Sequence, residues 1–155
     1  MQFKYLADRT EAIPTLANWY FNEWGHIGKG NTLDKVTAKL QEYLQTNSIP
    51  LIILAIDKDE VIGAAQLKYR EMDIYPEKEH WLGGVYVSKK HRGNKIAKKI
   101  VHRLINEAKK LGVDKLYLQT EDQSGGLYQY LGWTPLEKVN YKGVDVLVME
   151  NNICV

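Results

Sequence analysis

The sequence predicts a mixed α/β fold, with one sheet of mixed strand direction covered by helices on both faces. Two observations carry this. Apolar residues are patterned for strands in about seven short segments, whereas others repeat them at helical i, i+4 spacing. Tight turns at 57–60 and at Lys142-Gly143 mark hairpins, while helical segments separate other strands and demand crossovers. Hairpins and crossovers together exclude a purely parallel sheet and a plain meander. With 155 residues and 45% hydrophobic content, residues 1–155 are expected to form a single domain around a sizeable core.

The elements follow in order. Residues 3–6 alternate as a first strand, and a helix is expected from Thr10 to about Trp24, with Pro14 at its start. Gly25, Gly28 and Gly30 break it. Asn31 or Thr32 caps a second helix running to about Gln45, with Leu33, Val36, Leu40, Tyr43 and Leu44 along one side. Residues 50–56 form a buried strand joined by the 57–60 turn to a partner at 61–69. Residues 80–87 are the next strand. A long helix from about Lys95 to Leu111 follows, with Ile96, Ile100, Leu104, Ala108 and Leu111 on its apolar face and Gly112 closing it. Residues 115–120 form a strand, 124–131 a short helix ending at Gly132, and 134–141 pair with 144–150.

The junction between the strand at 80–87 and the long helix carries the strongest chemical signal. A helix start leaves its first N–H groups unpaired, and the macrodipole adds about half a positive charge there. First helical turns favour acidic residues. This one is crowded instead by Lys89, Lys90, Arg92, Lys95, Lys98 and Lys99, an arrangement that a bound polyanion stabilises. A solvated basic face and a nucleic-acid patch are the competing readings. The apolar periodicity of the helix ties it to a core and argues against a basic tail, and a net charge of +2 is too small to indicate nucleic acid.

The turn Arg92-Gly93-Asn94-Lys95-Ile96-Ala97, the helix after it, the later Leu127-Tyr128-Gln129-Tyr130-Leu131-Gly132-Trp133 and the order of elements along the chain resemble the GNAT superfamily of acyl-CoA-dependent N-acetyltransferases. The resemblance implies a mostly antiparallel sheet of about seven strands, splayed between strands 4 and 5. It also implies acetyl-CoA as the acetyl donor and direct attack by a primary amine in a ternary complex. In that family the turn reads Q/R-x-x-G-x-G/A, and its amides hold the CoA pyrophosphate. Arg92 and Ala97 fill the outer positions, but Lys95 replaces the central glycine. We expect Lys95 to take an ordinary helical backbone, which a residue with a Cβ accepts.

Carried over position by position, the resemblance assigns cofactor binding to Val85, Tyr86 and Val87 along the pantetheine arm. It assigns Arg92, Gly93, Asn94, Lys95, Ile96, Ala97 and Lys98 to the phosphates. Gly83 and Gly84 match the family's strand bulge. Tyr128 matches a tyrosine placed near the CoA sulfur, where a phenol can protonate a departing thiolate; without the resemblance, it reads as one of a packed set of aromatics. Glu79 and His80 are candidates to accept the ammonium proton. A bulge at the glycines decides which of them faces the site, and the choice stays open. Glu23 and Trp24, with Trp19, Tyr20 and His26 nearby, can hold a cationic acceptor by ion pairing and cation–π contact. Asp73, Ile74 and Tyr75 are weaker candidates.

The remaining expectations are exclusions. No His, Cys or carboxylate group has metal-ligand spacing, so no metal is expected. The single cysteine, Cys154, forms no internal disulfide and fits a reducing compartment. No apolar run is long enough for a membrane span, and Asp8, Arg9 and Glu11 stand where a leader needs apolar residues; a cytoplasmic protein is expected. The expected partner is a small-molecule or peptide amine, and a homodimer is compatible with the sequence. The alternative from another class is a non-catalytic CoA-binding or nucleic-acid-binding module with the same fold.

Overall fold

The computed structural model describes residues 1–154. The strands are β1 (Gln2–Tyr5), β2 (Leu51–Asp57), β3 (Glu60–Tyr69), β4 (His80–Val87), β5 (Lys115–Thr120), β6 (Thr134–Tyr141) and β7 (Val144–Asn152). The helices are α1 (Ile13–Trp24), α2 (Leu33–Leu40), α3 (Ile96–Lys110) and α4 (Gly126–Tyr130). One seven-stranded sheet runs β1-β2-β3-β4-β5-β7-β6. Among the described residues only β4 and β5 are parallel, and they share a single registered pair, Trp81 with Tyr117. The other neighbours are antiparallel. The expected sheet, its splay and the element order are all present.

The period of two along β2 explains why helices lie on both faces. Leu51, Ile53 and Ala55 point into a cluster with Ile100, Leu104 and Ala108 of α3. Ile52, Leu54 and Ile56 point the other way, against Leu16 and Tyr20 of α1 and Leu40 of α2. Removing one such fully buried side chain to Ala costs about 2–5 kcal/mol. The β2–β3 turn places Lys58 and Asp59 at φ +50° and +65°, the doubly left-handed pattern that follows the twist of a hairpin. Lys142 and Gly143, at +53° and +81°, repeat it between β6 and β7.

Helix ends account for most departures from expectation. The segment Thr10–Ala12 is a 3₁₀ turn, and α1 begins at Ile13 with Pro14 in its first turn. Thr32 is the cap of α2, accepting from Lys35 N–H at 3.1 Å. That helix stops at Leu40 and passes through a 3₁₀ turn at Gln41–Tyr43, because Leu44 is drawn into a bridge with Leu51. The short α4 begins at Gly126 because Gly125 and Gly126 are left-handed, at φ +85° and +49°. Helix α3 closes as expected: Gly112 lies at φ +79°, and Val113 N–H returns to Ala108 O at 3.0 Å.

Candidate active site

The site begins with a defect in β4. Ala64 of β3 faces Tyr86 and Gln66 faces Gly83, so Gly84 and Val85 together oppose Ala65 alone. This is a bulge, and it demands glycine: Gly84 sits at φ +56°, and a Cβ there would lie 2.6 Å from Gln66 Nε2. Tyr20 anchors the bulge by donating its hydroxyl to Gly84 O at 2.8 Å, and burial pushes the pKa of this phenol up, keeping it a donor. Gly83 has a different task. A Cβ on it would meet Lys68 Cε at 2.8 Å and Glu71 Oε1 at 2.9 Å, so the bare backbone leaves space for that ion pair.

Beyond Trp81, β4 has no registered partner on its β5 side, and the splay opens a cleft. One part, of about 580 Å³, is lined by Val85, Tyr86, Val87 and the start of α3. The backbone N–H groups from Gly93 through Lys98 have no hydrogen-bond partner among the described residues. No side chain caps α3, and no acidic residue occupies its first turn. A Cβ on Gly93, at φ +87°, would meet nothing within 4 Å, so the loop faces open space. These are the properties of a polyanion cradle.

Lys95 departs from expectation. It takes the left-handed conformation, φ +60° and ψ 24°, as the residue before the first turn of α3. The backbone must reverse here to swing the chain from the 3₁₀ turn at Lys89–His91 into the helix, and a glycine-like conformation is kept although the residue carries a Cβ. Arg92 turns its side chain back: Nε donates to Val87 O at 2.9 Å, and the guanidinium lies 5.2 Å from the Tyr86 ring centroid. Its charge braces the junction, leaving the loop backbone to face outward. Asn94 likewise donates to His91 O, and Lys98 Nζ lies 5.7 Å from the Tyr130 ring.

A second, larger cavity of about 800 Å³ shares Trp24 and Val85 with the first. Tyr128 lines it and packs edge-on against Trp133 at 6.1 Å. Desolvation, helped by the Glu71 charge, pushes the Tyr128 pKa up to about 12, so it holds its proton through the neutral range. Lys68 and Glu71 also line this cavity, paired at 2.6 Å. Burial works against the Lys68 charge, yet Glu71 raises its pKa above the usual value. Glu71 Oε2 is buried and has no hydrogen-bond partner among the described residues.

A family model described as the acetyltransferase (GNAT) family matches residues 11–133. The chain belongs to that family. No curated protein matches it in sequence. Among solved structures it is similar to an aminoglycoside 6'-N-acetyltransferase complexed with coenzyme A, at 18% identity and TM-score 0.78, covering 100% of this chain and 98% of that one. It is similar to a ribosomal-protein-alanine N-acetyltransferase from Brucella melitensis at 18% identity and TM-score 0.78, covering 98% and 99%. An N-acetyltransferase from Staphylococcus aureus Mu50 aligns at 21% identity and TM-score 0.74, covering 98% of each chain. At these identities the likeness is one of fold. The GNAT acetyltransferase fold thus spans the chain, and relatives with unlike acceptors share it.

The structure brings together Tyr128, Val85, Trp24 and the residues of the turn, but not the proton-acceptor candidates. Glu79 pairs with Arg70 at 3.0 Å and with His80 at 3.1 Å, and His80 packs on the Tyr69 ring at 5.4 Å. Neither residue lines either cavity: Glu79 lies before β4, and His80 is its first residue, paired with Tyr69. Glu23 lines the smaller cleft beside α3 and not the larger cavity, where Trp24 alone of the pair lies on both. Trp19 stacks on Tyr86 at 5.0 Å, and His26 is exposed. Asp73 accepts from Tyr141 Oη at 3.0 Å, and Tyr75 donates to Glu137. Sequence reasoning missed Lys68, Glu71 and Gln66. The one available signal was Gly83-Gly84, which reports that something crosses β4 closely.

Proposed function

We propose that this chain is an acetyl-CoA-dependent N-acetyltransferase that transfers acetyl directly to a primary amine in a ternary complex. The observation that carries the reading is the row of unpartnered amides from Gly93 through Lys98, opening into a cleft that adjoins the Tyr128-lined cavity. Acetyl-CoA, when bound, supplies the acetyl group as a thioester, which an uncharged amine converts to an amide with release of the free thiol.

The chain's own groups divide the work. The amides and α3 dipole bind phosphate, with Lys95, Lys98 and Lys99 adding charge. The open edge of β4 at Val85–Val87 accepts an extended chain as an added strand. Tyr128 Oη holds a proton that it can offer to a departing thiolate. Full transfer from a phenol at about 12 to a thiolate of ordinary pKa about 8.5 is uphill by about 5 kcal/mol, so its role is hydrogen-bond donation. Such a bond to a charged group contributes about 1.5–3 kcal/mol, equivalent to about 10- to 100-fold in rate.

Thermal shift with CoA and with a duplex oligonucleotide, followed by a free-thiol assay with acetyl-CoA and an amine panel, tests this reading. CoA should raise the melting temperature, the oligonucleotide should not, and thiol release should require an amine. Stabilisation by the oligonucleotide alone would support a nucleic-acid module instead. CoA binding without amine-dependent thiol release across the panel would support a non-catalytic one.

A further inference from the structure

Building on the acetyltransferase reading, we propose that the acceptor is an amine that also carries an anionic group several bonds away. Glu71 would hold its ammonium, which gives its proton to solvent before the uncharged nitrogen attacks, and Lys35 and Lys142 would face the anionic end. The larger cavity is lined by the Lys68–Glu71 pair and also by Lys35 and Lys142. Glu71 lies against Gly83 with its side chain 15% exposed, one oxygen on Lys68 and the other without a partner among the described residues. A buried acceptor left unpaired is costly. The terminal torsion of a glutamate is soft, so this oxygen can turn to an ammonium in the cavity.

Lys35 and Lys142 come to the lining from two other parts of the chain. Lys35 Nζ donates to Gly30 O at 2.5 Å, which holds it against the glycine-containing loop after α1. Lys142, at the β6–β7 turn, reaches the same loop: a Cβ on Gly28 would lie 4.0 Å from Lys142 Cδ. Two lysine side chains therefore reach one loop, and the Lys142 ammonium lies 5.3 Å from the ring of Tyr141, which also lines the cavity. Lys39 lines it too but pairs with Glu42 at 3.5 Å, and Asp122 accepts from Ser124 N and Oγ at 3.0 and 2.5 Å. Glu121 is the one other carboxylate in this lining. A polycationic acceptor would bring its extra ammonium groups against these lysines. A substrate with one ammonium and one anion matches both ends.

The test compares three acceptors of equal length: 6-aminohexanoate, hexylamine and 1,6-diaminohexane, assayed with saturating acetyl-CoA. The expected order in kcat/KM is aminohexanoate above hexylamine above diamine, with at least tenfold between the extremes and a smaller spread at high salt. The double variant Lys35→Glu and Lys142→Glu should invert the order while leaving CoA affinity unchanged, which also reports that it folds. Glu71→Gln should raise KM for all three. A diamine used as well as or better than the aminohexanoate, or a double variant with an unaltered order, would overturn the proposal. Absence of turnover with all three, while another amine of the panel releases thiol, would overturn this inference alone; absence with every amine of the panel, with acetyl-CoA still bound, would overturn the transferase reading and this inference with it.

Discussion

Lys95 stands at φ +60°, a left-handed conformation that costs a residue with a side chain about 1–2 kcal/mol. Lys95→Gly removes that strain at the expense of unfolded-state entropy, so a net gain of up to about 1 kcal/mol is expected, or about 2–4 °C in melting temperature. CoA affinity should fall by less than tenfold, because the amide remains. Lys95→Ala keeps the strain and removes the charge, and titration of both variants separates the two effects. Tyr128→Phe keeps the ring against Trp133 and should leave CoA affinity intact while lowering turnover about 10- to 100-fold. With its pKa at about 12, the parent enzyme should show no loss of activity centred near pH 10, where an ordinary tyrosine titrates; a pH–rate profile checks this. The conformation of Lys95 was hidden from the sequence, since lysine predicts an ordinary helical backbone. It is imposed by the closure of the turn, in which Arg92 ties back to Val87 O.

At the scale of the element, β4 decides the site. Gly84→Ala places a Cβ 2.6 Å from Gln66 Nε2 at a positive φ, so it should destabilise the protein by about 2 kcal/mol or more and reduce acceptor use together with CoA binding. Denaturant unfolding measures the first effect, and titration the second. The strand itself was legible from its apolar run, and Gly83-Gly84 announced a bulge. What the bulge does to side-chain parity was not legible, because one extra residue reverses every facing position beyond it. Glu79 and His80 precede the bulge and pair with each other and Arg70. Glu71 escaped notice for a related reason. It follows β3 in a loop without periodicity, and its importance comes from Lys68 and the space over Gly83, contacts that no local pattern records.

For the whole molecule, order and period carried nearly everything about the architecture. The alternation in β2, the i, i+4 face of α3 and the two hairpin turns each favour the same arrangement, and such agreement across levels specifies a fold. Cavity shape and polarity were not legible, because they arise where α1, α2, β4, α4 and the β6–β7 turn converge from distant parts of the chain. The row of unpartnered amides at the start of α3, by contrast, is contiguous in sequence, and the turn that carries it could be read directly. The most direct measurement of the central claim is thiol release from acetyl-CoA by the full chain, with and without 6-aminohexanoate, alongside mass detection of the amide. The account predicts one acetylated amine per thiol and only slow hydrolysis without the amine. Thiol release unchanged by any amine, with no amide formed, would contradict it.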